Sequence, residues 1–123
     1  MPPDKFKIVP IVFSGWYIGD LKVDKALKGS TIVAKFVKPA GSAGSYKIRI
    51  RRHIVSLWTN DQIVEERSFE FDGKPVYQDV SFVPQFCTNE SNTKGYYAEL
   101  VKDGFVVWEM GKAYPPRLQV IES

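Results

Sequence analysis

The sequence predicts an all-β protein, a two-sheet antiparallel sandwich of about seven to nine strands in a single domain that covers residues 1–123. Turn-forming residues interrupt the chain roughly every ten residues, and the segments between them are short and rich in Val, Ile, Phe, Tyr and Thr. No stretch of a dozen residues shows the 3.6-residue apolar repeat of a helix. A small closed barrel stays open as the alternative, because it is built from the same kind of strand.

The predicted strands follow one another along the chain, and each ends at a group of Gly, Asn, Asp, Ser or Pro residues. Ser14-Gly15 is the first of these turns, and residues 22–27 are interpreted as one short turn. The segment 39–45 is low in complexity and is expected to be a flexible loop between the sheets. The predicted strands are 6–13, 16–23, 30–38, 45–58, 62–71, 76–84, 95–102, 105–110 and 117–122.

The last hairpin is the most clearly marked one. Asp103-Gly104 supplies the positive φ of a tight turn between strands 95–101 and 105–109, and the apolar segment 118–121 is expected to close a sheet edge. Alternate residues of the first strand share a face, with Tyr96, Ala98 and Leu100 on one side and Tyr97, Glu99 and Val101 on the other.

A Gly-x-Tyr strand, an Asp-Gly turn, a return strand and a terminal Leu118-x-Val120 resemble the last hairpin of immunoglobulin-like and fibronectin-type-III-like sandwiches. The resemblance covers residues 95–121 and implies an Ig-like arrangement of the two sheets. The sequence lacks the antibody-type pair of cysteines with a tryptophan between them. The resemblance therefore implies a fold and no functional subfamily.

The charges are unevenly distributed along the chain. Residues 1–58 carry eleven basic and three acidic residues, and residues 59–123 carry six and eleven, for a net charge of +3. A basic half predicts an anionic partner, and a basic face with aromatic side chains is how OB-like barrels bind single-stranded nucleic acid. The candidate contact residues are Lys35, Lys38, Lys47, Arg49 and Arg51, with Tyr46 and Trp58 as stacking surfaces.

A second hairpin offers a competing explanation for the basic residues. If residues 60–61 form a two-residue turn, Arg51 faces Glu70 and Arg49 faces Asp72, so that opposite charges meet across the strands. The basic strand is then a neutralised, solvated sheet face. The same register puts Arg52 on the apolar face, opposite Phe69, and a β-bulge near Arg52 and His53 is predicted to re-aim both side chains.

Aromatic residues suggest a third function, a carbohydrate-binding sandwich, because sugar rings stack on exposed aromatic rings. The competing interpretation is that most of these rings fill the core, which needs several large side chains. The rings concerned are Trp16, Tyr17, Trp58, Tyr77, Tyr96, Tyr97, Trp108 and Tyr114.

No motif predicts an enzyme, a metal site or a cofactor. His53, the only histidine, has no nucleophile or orienting partner placed near it by a motif, and is interpreted as structural. The single cysteine, Cys87, follows a strand and is expected to be buried. One Cys with one His does not make a zinc site of the usual kind.

The sequence therefore predicts a non-catalytic binding or assembly module. It is expected to contact a protein partner, or a second copy of itself, through an exposed sheet edge or through the loops at 39–45, 59–61 and 88–95. No apolar stretch approaches the ~20 residues that cross a bilayer, and no signal peptide is visible. With a single cysteine, these features predict a cytoplasmic protein.

Overall fold

Short strands form because β-branched and aromatic residues alternate with polar ones, and Gly, Asn and Asp separate them. The computed structural model describes residues 11–110 and 117–122, with the backbone alone for 107–110. Strands make up most of this part of the chain, which confirms the predicted class. They are β1 (Val12–Ile18), β2 (Leu21–Val23), β3 (Lys25–Leu27), β4 (Ile32–Lys38), β5 (Gly44–Ile54), β6 (Gln62–Phe71), β7 (Val76–Phe82), β8 (Thr93–Lys102), β9 (Phe105–Met110) and β10 (Gln119–Ile121), and a 3-10 turn covers Glu90–Asn92.

Two four-stranded antiparallel sheets pack on a shared core. Sheet one has the strand order β2-β1-β4-β7, and sheet two has the order β6-β5-β8-β9. A separate parallel pair is formed by β3 and β10. The strands that the structure describes leave both large sheets open, so the sandwich prediction is confirmed and the closed-barrel alternative is wrong. Arg67 Nε donates to Gln78 Oε1 at 3.2 Å, which links β6 of sheet two to β7 of sheet one.

The central strand β5 shows how the sequence pattern fills the core. Tyr46, Ile48 and Ile50 are at most 1% exposed, whereas Lys47 and Arg49 at the alternate positions face outward. The same alternation in the other strands supplies the rest of the core. Its other main members are Trp16, Ile32, Ala34, Phe36, Val80 and Phe82 from sheet one and Phe69, Phe71, Tyr96, Ala98 and Leu100 from sheet two.

Arg52 lies on the inner face of β5 and is only 8% exposed. Its Nε donates to Gln62 Oε1 at 2.9 Å and its Nη1 to Thr93 Oγ1 at 2.8 Å, and the guanidinium carbon lies 4.1 Å from the centre of the Phe86 ring. The predicted bulge in β5 is wrong. The register of β5 does shift beside residues 50–51 and 53–54, but the extra residue of each shift lies in the partner strand, β6 or β8. Arg52 stays on the inner face, where these contacts satisfy its guanidinium.

Two predicted features near the start of the chain are wrong, and one near its end is confirmed only in part. No turn occurs at Ser14-Gly15, because β1 continues through it with a bulge-like shift of register. Residues 22–27 do not form one turn but belong mainly to β2 and β3. The last strand, β10, pairs in parallel with β3 and with neither large sheet. Leu118, just before it, pairs with Tyr96 of β8, so the predicted closure of a sheet edge holds only at that residue. The predicted strand at 6–13 lies mostly outside the described residues.

Two glycines explain how β8 begins and ends. The predicted turn after β8 is confirmed, with φ of 53° at Asp103 and 82° at Gly104, as a tight hairpin requires. At its start, Gly95 has a φ of 142°, and an added Cβ would lie 2.3 Å from Arg117 Cδ and 3.0 Å from the Leu118 carbonyl oxygen. Glycine at position 95 therefore leaves room for the aliphatic stem of Arg117.

We expect Gly95→Ala to lower the free energy of unfolding by about 3 kcal/mol, because the new methyl group meets a backbone carbonyl and requires an unfavourable φ. Gly104→Ala is the matched control. Its φ is also positive, but an added Cβ there has no neighbour within 4 Å, so we expect a loss of about 1 kcal/mol. Urea denaturation measures both losses, and equal values would contradict the crowding at Gly95.

Candidate binding surface

The loop between β5 and β6 covers residues 55–61 and replaces the predicted two-residue turn. Because β5 ends at Ile54 and β6 begins at Gln62, the strands pair in a different register, with Arg49 opposite Glu66. Opposite charges do meet across the strands, as the sequence predicts, but with other partners. The predicted pairings that prove wrong are Arg49 with Asp72 and Arg51 with Glu70.

Asp61 closes the base of this loop. Its Oδ1 accepts a hydrogen bond from the Ile54 N–H at 2.9 Å, and its Oδ2 accepts one from the Tyr97 hydroxyl at 2.6 Å. Its backbone carbonyl accepts a third from Arg51 Nη1 at 3.0 Å. Hydrogen bonds that involve a charged group are stronger than neutral ones. One residue thus ties the loop to both β5 and β8.

The tip of the loop is folded by Ser56 and exposes two apolar side chains. Ser56 Oγ accepts hydrogen bonds from the N–H groups of Trp58 at 3.1 Å and Thr59 at 3.2 Å, which is a serine-centred turn. Leu57 and Trp58 are each 93% exposed. A constrained loop therefore presents a leucine and an indole to solvent.

Glu99 of β8 organises the charges on the outer face of sheet two, although it is only 3% exposed. Its Oε1 accepts from Arg51 Nε at 2.6 Å and lies 3.7 Å from Arg49 Nη1. Arg49 Nε in turn donates to Glu66 Oε2 at 2.6 Å, and this hydrogen bond lowers the pKa of Glu66. Lys47 Nζ lies 3.7 Å from Glu66 Oε1. The three basic side chains that β5 places on this face are thus held by carboxylates.

A cleft of about 430 Å³ lies beside loop 55–61. Tyr97, 1% exposed, lines it and meets the His53 ring edge-on, with the ring centres 6.1 Å apart. Burial and the hydrogen bond to Asp61 raise the pKa of Tyr97, so its hydroxyl stays protonated and donates to the carboxylate. His53 lines the same cleft.

The basic residues predicted to contact an anion do not form one surface. Lys35 lies in sheet one, with its Nζ 4.8 Å from the centre of the Tyr17 ring. Lys47, Arg49 and Arg51 lie on the outer face of sheet two. Since outward residues of the two sheets point in opposite directions, the core separates Lys35 from the other three.

Lys38 and Tyr46, also predicted as contact residues, are buried at 0% and 1% exposure. Alternation in β4 puts Lys38 on the inner face, two residues after Phe36. Its Nζ lies 4.6 Å from the centre of the Phe71 ring and 5.2 Å from that of Tyr46. Burial, with a smaller effect of Lys102, lowers the pKa of Lys38. Neither Lys38 nor Tyr46 is available to a ligand at the surface.

The aromatic residues do not form a common platform for a sugar. Trp58 and Tyr77 are strongly exposed, at 93% and 80%. Tyr77 pairs with Val37 beside the 39–43 loop, whereas Trp58 follows the other end of β5, so the two rings lie at opposite ends of the sandwich. Three of the other predicted rings, those of Trp16, Tyr96 and Tyr97, are buried, and the side chains of Trp108 and Tyr114 lie outside the described residues.

Sequence reasoning missed two residues of this surface, Leu57 and Glu99. The predicted strand 45–58 included Leu57, although Ser56 and the Thr-Asn-Asp run that begins at Thr59 mark the ends of a loop. The signal for Glu99 was a lone acidic residue in β8, at the position opposite the basic Arg49 of β5.

Cys87, Glu90 and Glu122 bring one sulfur and two carboxylate groups within 4.8 Å of one another. Cys87 is buried, as the sequence predicts. Glu90 accepts from Lys28 Nζ at 3.0 Å and from the Cys87 N–H at 2.8 Å. Burial, with the nearby carboxylates, raises the pKa of the Cys87 thiol. The cluster therefore binds the Lys28 ammonium group through Glu90, next to the protonated Cys87 thiol.

We expect Glu99→Ala to lower the free energy of unfolding by about 3 kcal/mol. Arg49 and Arg51 would then lie side by side without the buried Glu99 carboxylate that both of them approach. Glu66→Ala is the matched control. Its carboxylate also binds Arg49 but is 35% exposed, so we expect a loss below about 1 kcal/mol. Thermal unfolding of both variants measures the difference, and a smaller loss for Glu99→Ala than for Glu66→Ala would count against its central role.

The raised pKa of Tyr97 predicts a loss of stability at high pH. Above about pH 10 the tyrosine ionises in the unfolded chain but stays protonated in the folded one, so the unfolded state is favoured as the pH rises. Tyr97→Phe has no hydroxyl to ionise at this position. The slope of its stability against pH is therefore expected to be less steep than that of the wild type, by up to about 1.4 kcal/mol per pH unit. Urea denaturation between neutral and alkaline pH measures the two slopes, and parallel slopes would contradict this assignment.

Among the described residues, no helix has the length and apolar character needed to span a membrane. Comparison of the chain with models of known protein families gives no match. Comparison with curated proteins gives no match either.

Proposed function

We propose that this protein is a non-catalytic binding module that holds a protein partner through loop 55–61. The observation that carries the proposal is the pair Leu57 and Trp58, each 93% exposed at the tip of a loop whose base is fixed. Tryptophan is enriched among the few residues that supply most of the free energy of protein association. Large apolar side chains held out in water gain the most from a partner that covers them.

The fixed geometry of the loop favours binding. Ordering a flexible loop on association costs free energy, on the order of 1 kcal/mol for each immobilised side chain. Here Asp61 and Ser56 already hold the backbone through hydrogen bonds in the isolated protein. A partner then orders little more than the two exposed side chains, and more of the contact energy appears as affinity.

A second loop reaches the same end of the sandwich and widens the proposed surface. The Val55 N–H donates to the Asn92 carbonyl at 2.9 Å, which joins loop 55–61 to the segment that precedes β8. Two of the predicted contact segments, 59–61 and 88–95, are therefore neighbours. The third, 39–45, belongs to the opposite end, where the Gly41 N–H donates to the Gly73 carbonyl.

The alternative functions have less support in the geometry. A nucleic-acid strand needs unpaired cations along a groove, but Arg49 and Arg51 are engaged by Glu66 and Glu99. A sugar platform needs neighbouring exposed rings, and Trp58 lies far from Tyr77. We include a reducing, cytoplasmic location in the proposal because Cys87 is the only cysteine in the sequence.

We expect the double substitution Leu57→Ser/Trp58→Ser to weaken partner binding at least about tenfold, because it removes both anchors. The partner is first retained on the immobilised wild-type protein from an extract of its own cells. Its dissociation constant is then measured with purified proteins by titration calorimetry.

Tyr77→Ser is the matched control, since it removes an exposed aromatic ring from the opposite end and is expected to leave the affinity unchanged. Thermal unfolding checks that the variants fold. Sedimentation of the protein alone tells whether the partner is a second copy. Equal affinity of the wild-type protein and Leu57→Ser/Trp58→Ser for the partner would contradict the proposal.

A further inference from the structure

A second cleft, of about 440 Å³, opens at the same end of the sandwich as loop 55–61. It lies between the segment that leads into β8 and the residues that lead into β10. Side-chain amides, two basic side chains and one apolar residue line most of it. These are Asn89, Asn92, Gln119, Lys94, Arg117 and Val55.

Both of the charged side chains that line this cleft, among the described residues, are basic. Lys94 and Arg117 line it, and of the described residues that line it none is acidic. Lys94 is exposed, and no ion pair is found for it within the described part of the chain. Both residues come from a half of the chain that is acidic, because residues 59–123 carry six basic and eleven acidic residues. The fold therefore collects two cations from an acidic half of the chain into one cleft.

The wall of the cleft is held in place by backbone and side-chain contacts. The stem of Arg117 lies over Gly95, where an added Cβ would come within 2.6 Å of Arg117 Cγ. The next residue, Leu118, exchanges two backbone hydrogen bonds of 3.0 Å with Tyr96. Thr88 Oγ1 donates to Gln119 Oε1 at 2.8 Å. The basic and amide groups thus stand on a fixed backbone.

The cleft continues the surface of the apolar loop. Val55 belongs to both, because it begins loop 55–61, lines the cleft and is 56% exposed. We propose that the cleft binds an acidic peptide segment of the same partner whose apolar surface covers Leu57 and Trp58. This inference rests on the proposed function and adds the chemical class of the partner.

The lining favours a peptide over other anions. The amides of Asn89, Asn92 and Gln119 offer both donors and acceptors, which match the N–H and C=O groups of a peptide backbone. Lys94 and Arg117 match acidic side chains. Two cations in a short cleft are few for a nucleic-acid strand, whose binding depends on many phosphate contacts.

The test uses a random-peptide library displayed on phage and selected on the immobilised wild-type protein. Peptides retained by the protein are expected to carry net negative charge. A selected peptide, made with a fluorescent label, is expected to bind Lys94→Gln/Arg117→Gln about five times more weakly in fluorescence anisotropy. The difference is expected to shrink at high salt, because ions screen exposed charges. Lys74→Gln, which removes an exposed cation next to Gly73 at the opposite end, is expected to bind as the wild type does.

Four further outcomes are decisive. Selection of neutral or basic peptides would overturn the inference, and so would equal affinity of the acidic peptide for wild-type protein and Lys94→Gln/Arg117→Gln. Binding to vesicles with phosphatidylserine, or to a single-stranded oligonucleotide, in place of acidic peptides would also overturn it. Unchanged peptide affinity of Leu57→Ser/Trp58→Ser would remove the loop from the site but leave the cleft supported, so the two proposals fail separately. Lys94→Gln alone provides the same comparison if Arg117→Gln disturbs the fold.

Discussion

The carboxylate of Glu99 lets sheet two carry two arginines side by side on the face that points away from the core. Without this buried charge, Arg49 and Arg51 would repel each other on the central strand. With it, Arg51 is oriented by Glu99 through Nε and still reaches the Asp61 carbonyl through Nη1. The shape of the exposed loop therefore depends on a charge that lies on a different strand and is almost hidden from solvent.

The class of the fold could be predicted because its signals are local. Turn residues and alternation predicted β8, β9 and the turn at Asp103-Gly104, since a tight turn is decided by its own two residues. The β5–β6 register could not be predicted in this way. It goes with loop 55–61, which is longer than the predicted turn and is closed by the hydrogen bond between Asp61 and Tyr97. These two residues are 36 positions apart, and a short-range pattern holds no information on such a contact.

The candidate surface was predicted only in part. Trp58 and the segments 59–61 and 88–95 were named from the sequence, but most of the basic residues grouped with Trp58 lie away from its loop, and Arg51 contacts the base of the loop while paired with Glu99. Lys38 shows the reason. It was chosen as a contact residue for its charge, but the alternation of β4 puts it on the buried face, and charge alone does not reveal burial. Whether a charged residue is buried or exposed is decided by packing between elements.

The parallel pairing of β10 with β3 has a consequence for how the protein folds. Gln119 lies opposite Lys25, so this contact encloses most of the chain, and the entropy of closing so long a loop makes such contacts slow to form. Arg117 and Gln119 stand next to this pairing. We expect the basic cleft to be completed after the two large sheets have formed, so that a partially folded chain would present the apolar loop without its charged neighbour.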